Sequence, residues 1–199
     1  MKKAACILLI FSVIFSLCAC NAVDSGKTVI NPDEMNEQEL ATFTGAGFNA
    51  IMAGLFKTNL YFVEEVFVYG HLPVSDSDKV KDGSGKYVPV DSLTIKTFSD
   101  LTDAVNAVYT EDTAKKLLKG KDYRDIEGKL HYNTKANVKN RNFKFDCSEL
   151  EISVGEKTES SCTFTAYLKK VTDNEEKDYK IDCSAVLENG NWKLEKVYY

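Results

Sequence analysis

The chain has 199 residues, with 30 acidic and 25 basic side chains, a formal net charge of −5 and 44% hydrophobic residues. Arginine occurs only at Arg124 and Arg141, in separate segments. No basic cluster exists, so a nucleic acid, whose phosphates demand grouped Lys and Arg, is not an expected partner.

Lys2 and Lys3 precede an apolar run from Ala4 to Leu17, the charged and hydrophobic regions of a leader. A membrane-crossing helix needs roughly 20 apolar residues. This run is shorter, is interrupted by Ser12 and Ser16 and stops at Asn21, so residues 1–19 are read as a cleaved leader. Leu17-Cys18-Ala19-Cys20 fits a lipobox, with an aliphatic residue three before the cut, a small residue just before it and a Cys at the cut. Choosing Cys18 instead would put bulky Leu17 in the small-residue slot. Cys20 is therefore the expected lipidation site, because diacylglycerol is attached through a thioether. Each buried acyl methylene contributes about 0.8 kcal/mol, so more than one chain gives stable anchoring to the outer face of a bacterial membrane.

Loss of Lys2 and Lys3 leaves 23 basic against 30 acidic side chains, a net charge of −7. Cys6 and Cys18 leave with the leader, so Cys147, Cys162 and Cys183 are the remaining thiols. An odd number allows at most one internal disulfide, which the compartment permits. Burial as small apolar side chains is the plainer reading.

Residues 20–31 read as a tether that places the domain, residues 32–199, about 15 to 20 Å from the lipid. Asn31-Pro32-Asp33-Glu34 resembles a helix start. Leu40, Phe43, Gly47, Ile51 and Leu55 then recur at helical spacing, which predicts a helix near 33–57. Gly45, Gly47 and Gly54 weaken it and suggest close packing on that side. Gly45 to Ala50 matches a dinucleotide fingerprint in letters only, since no strand precedes it. Tyr61 to Tyr69 is aromatic and β-branched and predicts a strand.

His71 to Lys86 contains Pro73, several Ser and Asp residues and Gly83-Ser84-Gly85, and is expected to form a long mobile loop, with a short strand returning at Tyr87 to Val90. Two short helices follow. Asp100 is placed to cap the first, whose apolar face is Leu101, Ala104, Val105 and Val108. Thr110 caps the second, with Glu111 and Asp112 in its first turn, Lys115 and Lys116 placed for i,i+4 pairs and Gly120 closing it.

The remainder reads as strands, beginning at Lys129 to Tyr132. Phe143, Phe145 and Cys147 alternate before the phase shifts to Leu150, Ile152 and Val154, which predicts a bulge. Cys162 to Leu168 and Tyr179 to Leu187 alternate next, and Asn189-Gly190 predicts a hairpin turn into Trp192 to Tyr199. Helices first and an antiparallel meander last define an α+β fold, with an N-terminal helix and a short helix pair packed on a curved, mainly antiparallel sheet.

No catalytic constellation is expected. The thiols fall on apolar strand phases, no Gly-x-Ser-x-Gly elbow occurs, and His71 and His131 lie far apart without metal-binding spacing. No metal, cofactor or enzymatic turnover is predicted.

Val108-Tyr109-Thr110-Glu111-Asp112-Thr113-Ala114 with Leu117-Leu118, Tyr123 to Leu130, and Asn189-Gly190-Asn191-Trp192-Lys193 together resemble the IseA family of bacterial cell-wall D,L-endopeptidase inhibitors. Over residues 95–199 the resemblance implies a papain-like cysteine peptidase as partner, inhibited by occlusion of its cleft. Asp76, Asp78 and Asp82, with Gly83 and Gly85 granting freedom, are the candidate contacts in the long loop. Asn-Gly-x-Trp endings also resemble cystatin-like α+β lipoproteins. A second expectation is thus a module holding a small apolar ligand or another envelope protein, with Phe143, Phe145, Phe164, Tyr167 and Trp192 as candidate lining.

Overall fold

The computed structural model describes residues 37–75, 79–82 and 85–199. The leader, Cys20 and the tether lie outside the described residues, as does the Asn31 to Glu34 helix start. Among the described residues no helix is long and apolar enough to cross a membrane. The chain divides into two units, Met1–Gly47 and Phe48–Tyr199, and the packing below is that of the second.

Helix α1 spans Glu37–Phe62 and continues as a π-helical turn over Val63–Phe67. The strand expected at Tyr61 to Tyr69 is therefore helical through Phe67. Its β propensity yields to burial, because Phe62, Val63 and Val66 are 2%, 0% and 1% exposed on one helical stripe with Met52, Phe56 and Leu60. Val63 O accepts from both Val68 N at 3.2 Å and Tyr69 N at 2.9 Å, which closes the turn. Gly70 then passes over it so closely that a Cβ there would strike the Glu64 carbonyl. Gly54, by contrast, faces open space, so the close packing expected on that side does not occur there.

Strands β1 (Val80–Asp82), β2 (Gly85–Pro89), β3 (Tyr123–Ile126) and β4 (Lys129–Asn133) form one antiparallel sheet in the order β1-β2-β4-β3. Between them run α2 (Phe98–Val108) and α3 (Glu111–Leu118). Thr97, not Asp100, is the N-cap of α2. Its hydroxyl accepts from Asp100 N at 3.1 Å while the Asp100 carboxylate accepts from Thr97 N at 2.9 Å, a reciprocal capping box. Thr110 precedes α3 but makes no side-chain cap, and Glu188 Oε1 accepts from Glu111 N at 3.1 Å instead.

The second sheet is the expected meander, β5 (Phe143–Lys157), β6 (Ser161–Thr172), β7 (Glu176–Glu188) and β8 (Asn191–Leu194) in sequential antiparallel order. The bulge read from the phase shift lies between Asp146 and Glu151, where the β5–β6 register slips. Asn189 and Gly190 take positive φ of 52° and 77°, as a type I′ turn requires, and Glu127-Gly128 does the same between β3 and β4. The protein is thus α+β with a C-terminal β-meander, and its described residues form two four-stranded sheets rather than one.

The α2–α3 junction is fastened to the terminal hairpin. Tyr109 forms a parallel bridge with Leu194, Thr110 N donates to Leu194 O at 3.0 Å, and Thr113 Oγ1 donates to Glu195 O at 2.5 Å. Lys193 Nζ donates to the carbonyls of Asn106 and Ala107 at 2.5 and 2.9 Å, placing a cation at the negative end of α2. From Phe48 on, α1 lies on the inner meander face, with Phe48 edge-on to Trp192 at 5.2 Å and Met52 Sδ 3.6 Å from Cys162 Sγ. Phe62 of α1 also meets Tyr109, and Phe67, the last residue of the π-turn, meets Tyr123.

Candidate partner-binding edge

The three thiols are free. Cys162 and Cys183 are buried on the inner meander face, opposite Ala185 and Phe164 respectively, so the two are diagonal neighbours on adjacent strands. Burial pushes the Cys183 thiol up to about 12 and the half-buried Cys147 thiol up to about 11, and raises that of Cys162 as well. A thiolate nucleophile is therefore scarce at neutral pH. His71 Nδ1 donates to Leu72 O at 2.8 Å and its ring stacks on Tyr132 at 4.2 Å, while buried His131 donates from Nδ1 to Lys129 O at 3.0 Å. Among the described residues, no three of His, Cys, Asp and Glu gather to hold a metal ion.

Part of the segment expected as a long loop extends the first sheet, through β1 and the start of β2. Val80, Lys81 and Asp82 pair with Tyr87, Lys86 and Gly85, so Asp82 and Gly85 face each other where the hairpin closes. Gly83 lies outside the described residues, as do Asp76 and Asp78. Upstream, Val74 bridges Val90, Ser75 N donates to Pro89 O at 2.9 Å, and Asp91 N donates to Pro73 O at 2.7 Å. The base is anchored by fully buried Leu72, whose N donates to Tyr123 Oη at 2.9 Å while that hydroxyl donates to Val66 O at 3.0 Å. Lys79, Lys81 and Lys86 are interspersed with Asp76, Asp78 and Asp82 along this segment, so its charge is mixed rather than acidic.

At the far end of β2, the chain makes a turn that sequence reasoning did not single out. Leu93 is 92% exposed at its apex. The turn is tied internally, with Ser92 Oγ accepting from Thr94 N at 3.3 Å and Ile95 N at 3.2 Å. It is fixed on one side by Val90 N donating to Leu130 O and on the other by buried Ile95 and by Leu130 N donating to Lys96 O, each bond 2.9 Å long. The available sequence clue was an apolar residue directly after a turn-forming Ser within Asp91-Ser92-Leu93-Thr94.

The aromatic residues proposed as a ligand lining do not share one chamber. Phe145 and Phe164 are in the core, Phe143 sits between Tyr69 and Phe145, Trp192 meets Phe48, and Tyr167 is exposed on the outer meander face. Two open depressions on that outer face are lined mainly by polar residues.

The chain matches no protein-family model, and no curated protein shows significant similarity to it.

Proposed function

We propose that this chain is a lipoprotein, anchored through Cys20 outside the cell membrane, that inhibits peptidoglycan D,L-endopeptidases by occluding their active-site cleft and so moderates cell-wall turnover. The observation that carries the reading is Leu93, an apolar side chain held out on a turn fixed at both ends. A preorganised apolar knob can fill a cleft subsite while losing little conformational entropy on binding. The hairpin of β1 and β2, closed where Asp82 pairs with Gly85, widens the contact surface at the other end of β2.

The buried thiols and dispersed imidazoles suit a protein that acts by shape, since an inhibitor of this kind needs no reactive group. The resemblance to IseA inhibitors falls on the α2–α3 junction, the β3–β4 hairpin and the terminal hairpin, which form the scaffold rather than the contact surface. The net charge of −7 on the mature chain favours encounter with a basic wall-binding enzyme through long-range attraction. The scattering of aromatic side chains between core and solvent weighs against a module that encloses an apolar ligand.

Gel filtration with a papain-like D,L-endopeptidase tests cleft occlusion. A complex is expected with the free enzyme and is lost when the cleft thiol carries a bulky covalent adduct. Equal binding to the blocked enzyme would contradict the proposal.

A further inference from the structure

The outer face of the meander carries a second surface to which neither Leu93 nor the hairpin contributes. Cys162, Phe164, Ala166 and Leu168 of β6 are 3%, 2%, 0% and 4% exposed, so strand alternation turns Thr163, Thr165, Tyr167 and Lys169 to the opposite side. The register aligns that side in rows across three strands. Glu151, Tyr167 and Lys180 form one row and Ser153, Thr165 and Asp182 the next; Thr163 then faces Ser184 at one end and Lys169 faces Asp178 at the other. Depressions of about 520 and 390 Å³ follow these rows, the first around Tyr167 and the second around Thr165. Both are open to solvent along their length, so they form a shallow track and not an enclosed chamber. From Lys169 to Thr163 the strip is about 20 Å long at the rise of an extended strand.

Its chemistry is specific. Tyr167 is 45% exposed at the centre of the strip from Lys169 to Thr163, whose other outward side chains carry hydroxyl, carboxylate or ammonium groups. Lys169 is engaged by Asp178 at 2.7 Å and Glu176 at 3.7 Å, and Thr165 Oγ1 donates to Asp182 at 2.8 Å, so the groups are partly ordered. Basic residues are in no excess here, so a polyanion is not the complementary ligand. An apolar chain would leave the hydroxyls and charges desolvated without partners. A pyranose has an apolar C–H face that can stack on a phenol ring and a rim of hydroxyls that can bond carboxylates, hydroxyls and ammonium groups.

We infer that this strip binds a polysaccharide strand of pyranose sugars, one ring stacking on Tyr167 between Glu151 and Lys180 and the next units running along Thr165, Asp182 and Thr163. Glu151 and Asp182 accept from sugar hydroxyls, and Lys180 donates to ring or acetamido oxygens.

Calorimetric titration of the mature chain, made lipid-free by Cys20→Ser, with a β-1,4-linked N-acetylglucosamine tetrasaccharide tests this directly. Binding with a dissociation constant on the order of 1 mM or tighter is expected, and it should change less than about twofold between low and high salt, since the main contact is stacking and not ion pairing. Tyr167→Ala should weaken it at least tenfold with an unchanged thermal midpoint, while Tyr167→Phe, which keeps the ring, retains it. No heat at millimolar saccharide, equal binding by Tyr167→Ala, or binding abolished by salt would each overturn the inference.

Discussion

The side-chain amide of Asn59 engages both backbone polar groups of Tyr198, donating from Nδ2 to its carbonyl at 2.7 Å and accepting from its N–H at 3.0 Å. The same Oδ1 accepts from the Tyr109 hydroxyl at 3.0 Å. Asn59 is fully buried, so α1, the α2–α3 junction and the C-terminal segment are joined at one satisfied polar node inside the core. Asn59→Leu leaves these partners buried without bonds and is expected to cost about 3 kcal/mol. Tyr109→Phe removes one bond only and is expected to cost about 1 kcal/mol. Urea unfolding of both variants checks the ratio.

Gly70 provides a second stability test. A methyl group there meets the Glu64 carbonyl, and the carboxylate of the same residue pairs with Arg141 and accepts from Phe145 N at 3.2 Å. Gly70→Ala is expected to destabilise by about 1–3 kcal/mol, whereas Gly54→Ala, facing open space within α1, should stabilise by up to about 1 kcal/mol through helix propensity. Thermal unfolding of the pair should therefore move in opposite directions.

The buried thiols and phenols fix the alkaline behaviour. Cys147 and Cys183 titrate in the fold near 11 and 12, above the ordinary 9.0, because burial disfavours the thiolate. Burial likewise raises the Tyr109 and Tyr123 phenols above 10.0. The unfolded chain releases these protons first, so their contribution to stability is complete below pH 9 and is lost as pH rises through 11 and 12. Urea midpoints should hold between pH 7 and 9 and fall steadily above. At pH 8 the three thiols should react with a maleimide far more slowly in the native protein than in denaturant.

The sequence made the meander legible because its burial pattern has a period of two. The phase slip after Cys147 located the β5 bulge, and Asn189-Gly190 carried the positive φ values that a tight hairpin needs. Tyr61 to Phe67 misled because aromatic and β-branched residues favour strands, while tertiary burial of Phe62, Val63 and Val66 holds them helical. The Pro-, Ser- and Gly-containing stretch after His71 read as a loop because its pairing is short and runs to distant partners such as Pro89. Leu93 was only faintly marked, for a different reason. Exposure of a single leucine is decided by how the turn is tied, and one apolar letter in a polar segment does not reveal that.

Leu93 also separates contact from scaffold. Leu93→Asp removes the apolar knob without touching a buried group, so the thermal midpoint should stay within about 2 °C, matching a surface change of under about 0.5 kcal/mol. Inhibition of the target peptidase should weaken at least about tenfold, as for loss of an interface anchor worth some 1.4 kcal/mol or more. Inhibition constants measured alongside thermal melts provide the check.

The most direct measurement is digestion of purified peptidoglycan by a papain-like D,L-endopeptidase during titration with the lipid-free mature chain. Hydrolysis is expected to fall linearly and to stop near one equivalent, with the added chain recovered uncut. Undiminished hydrolysis at a tenfold molar excess, or release of wall fragments by the chain alone, would contradict the account.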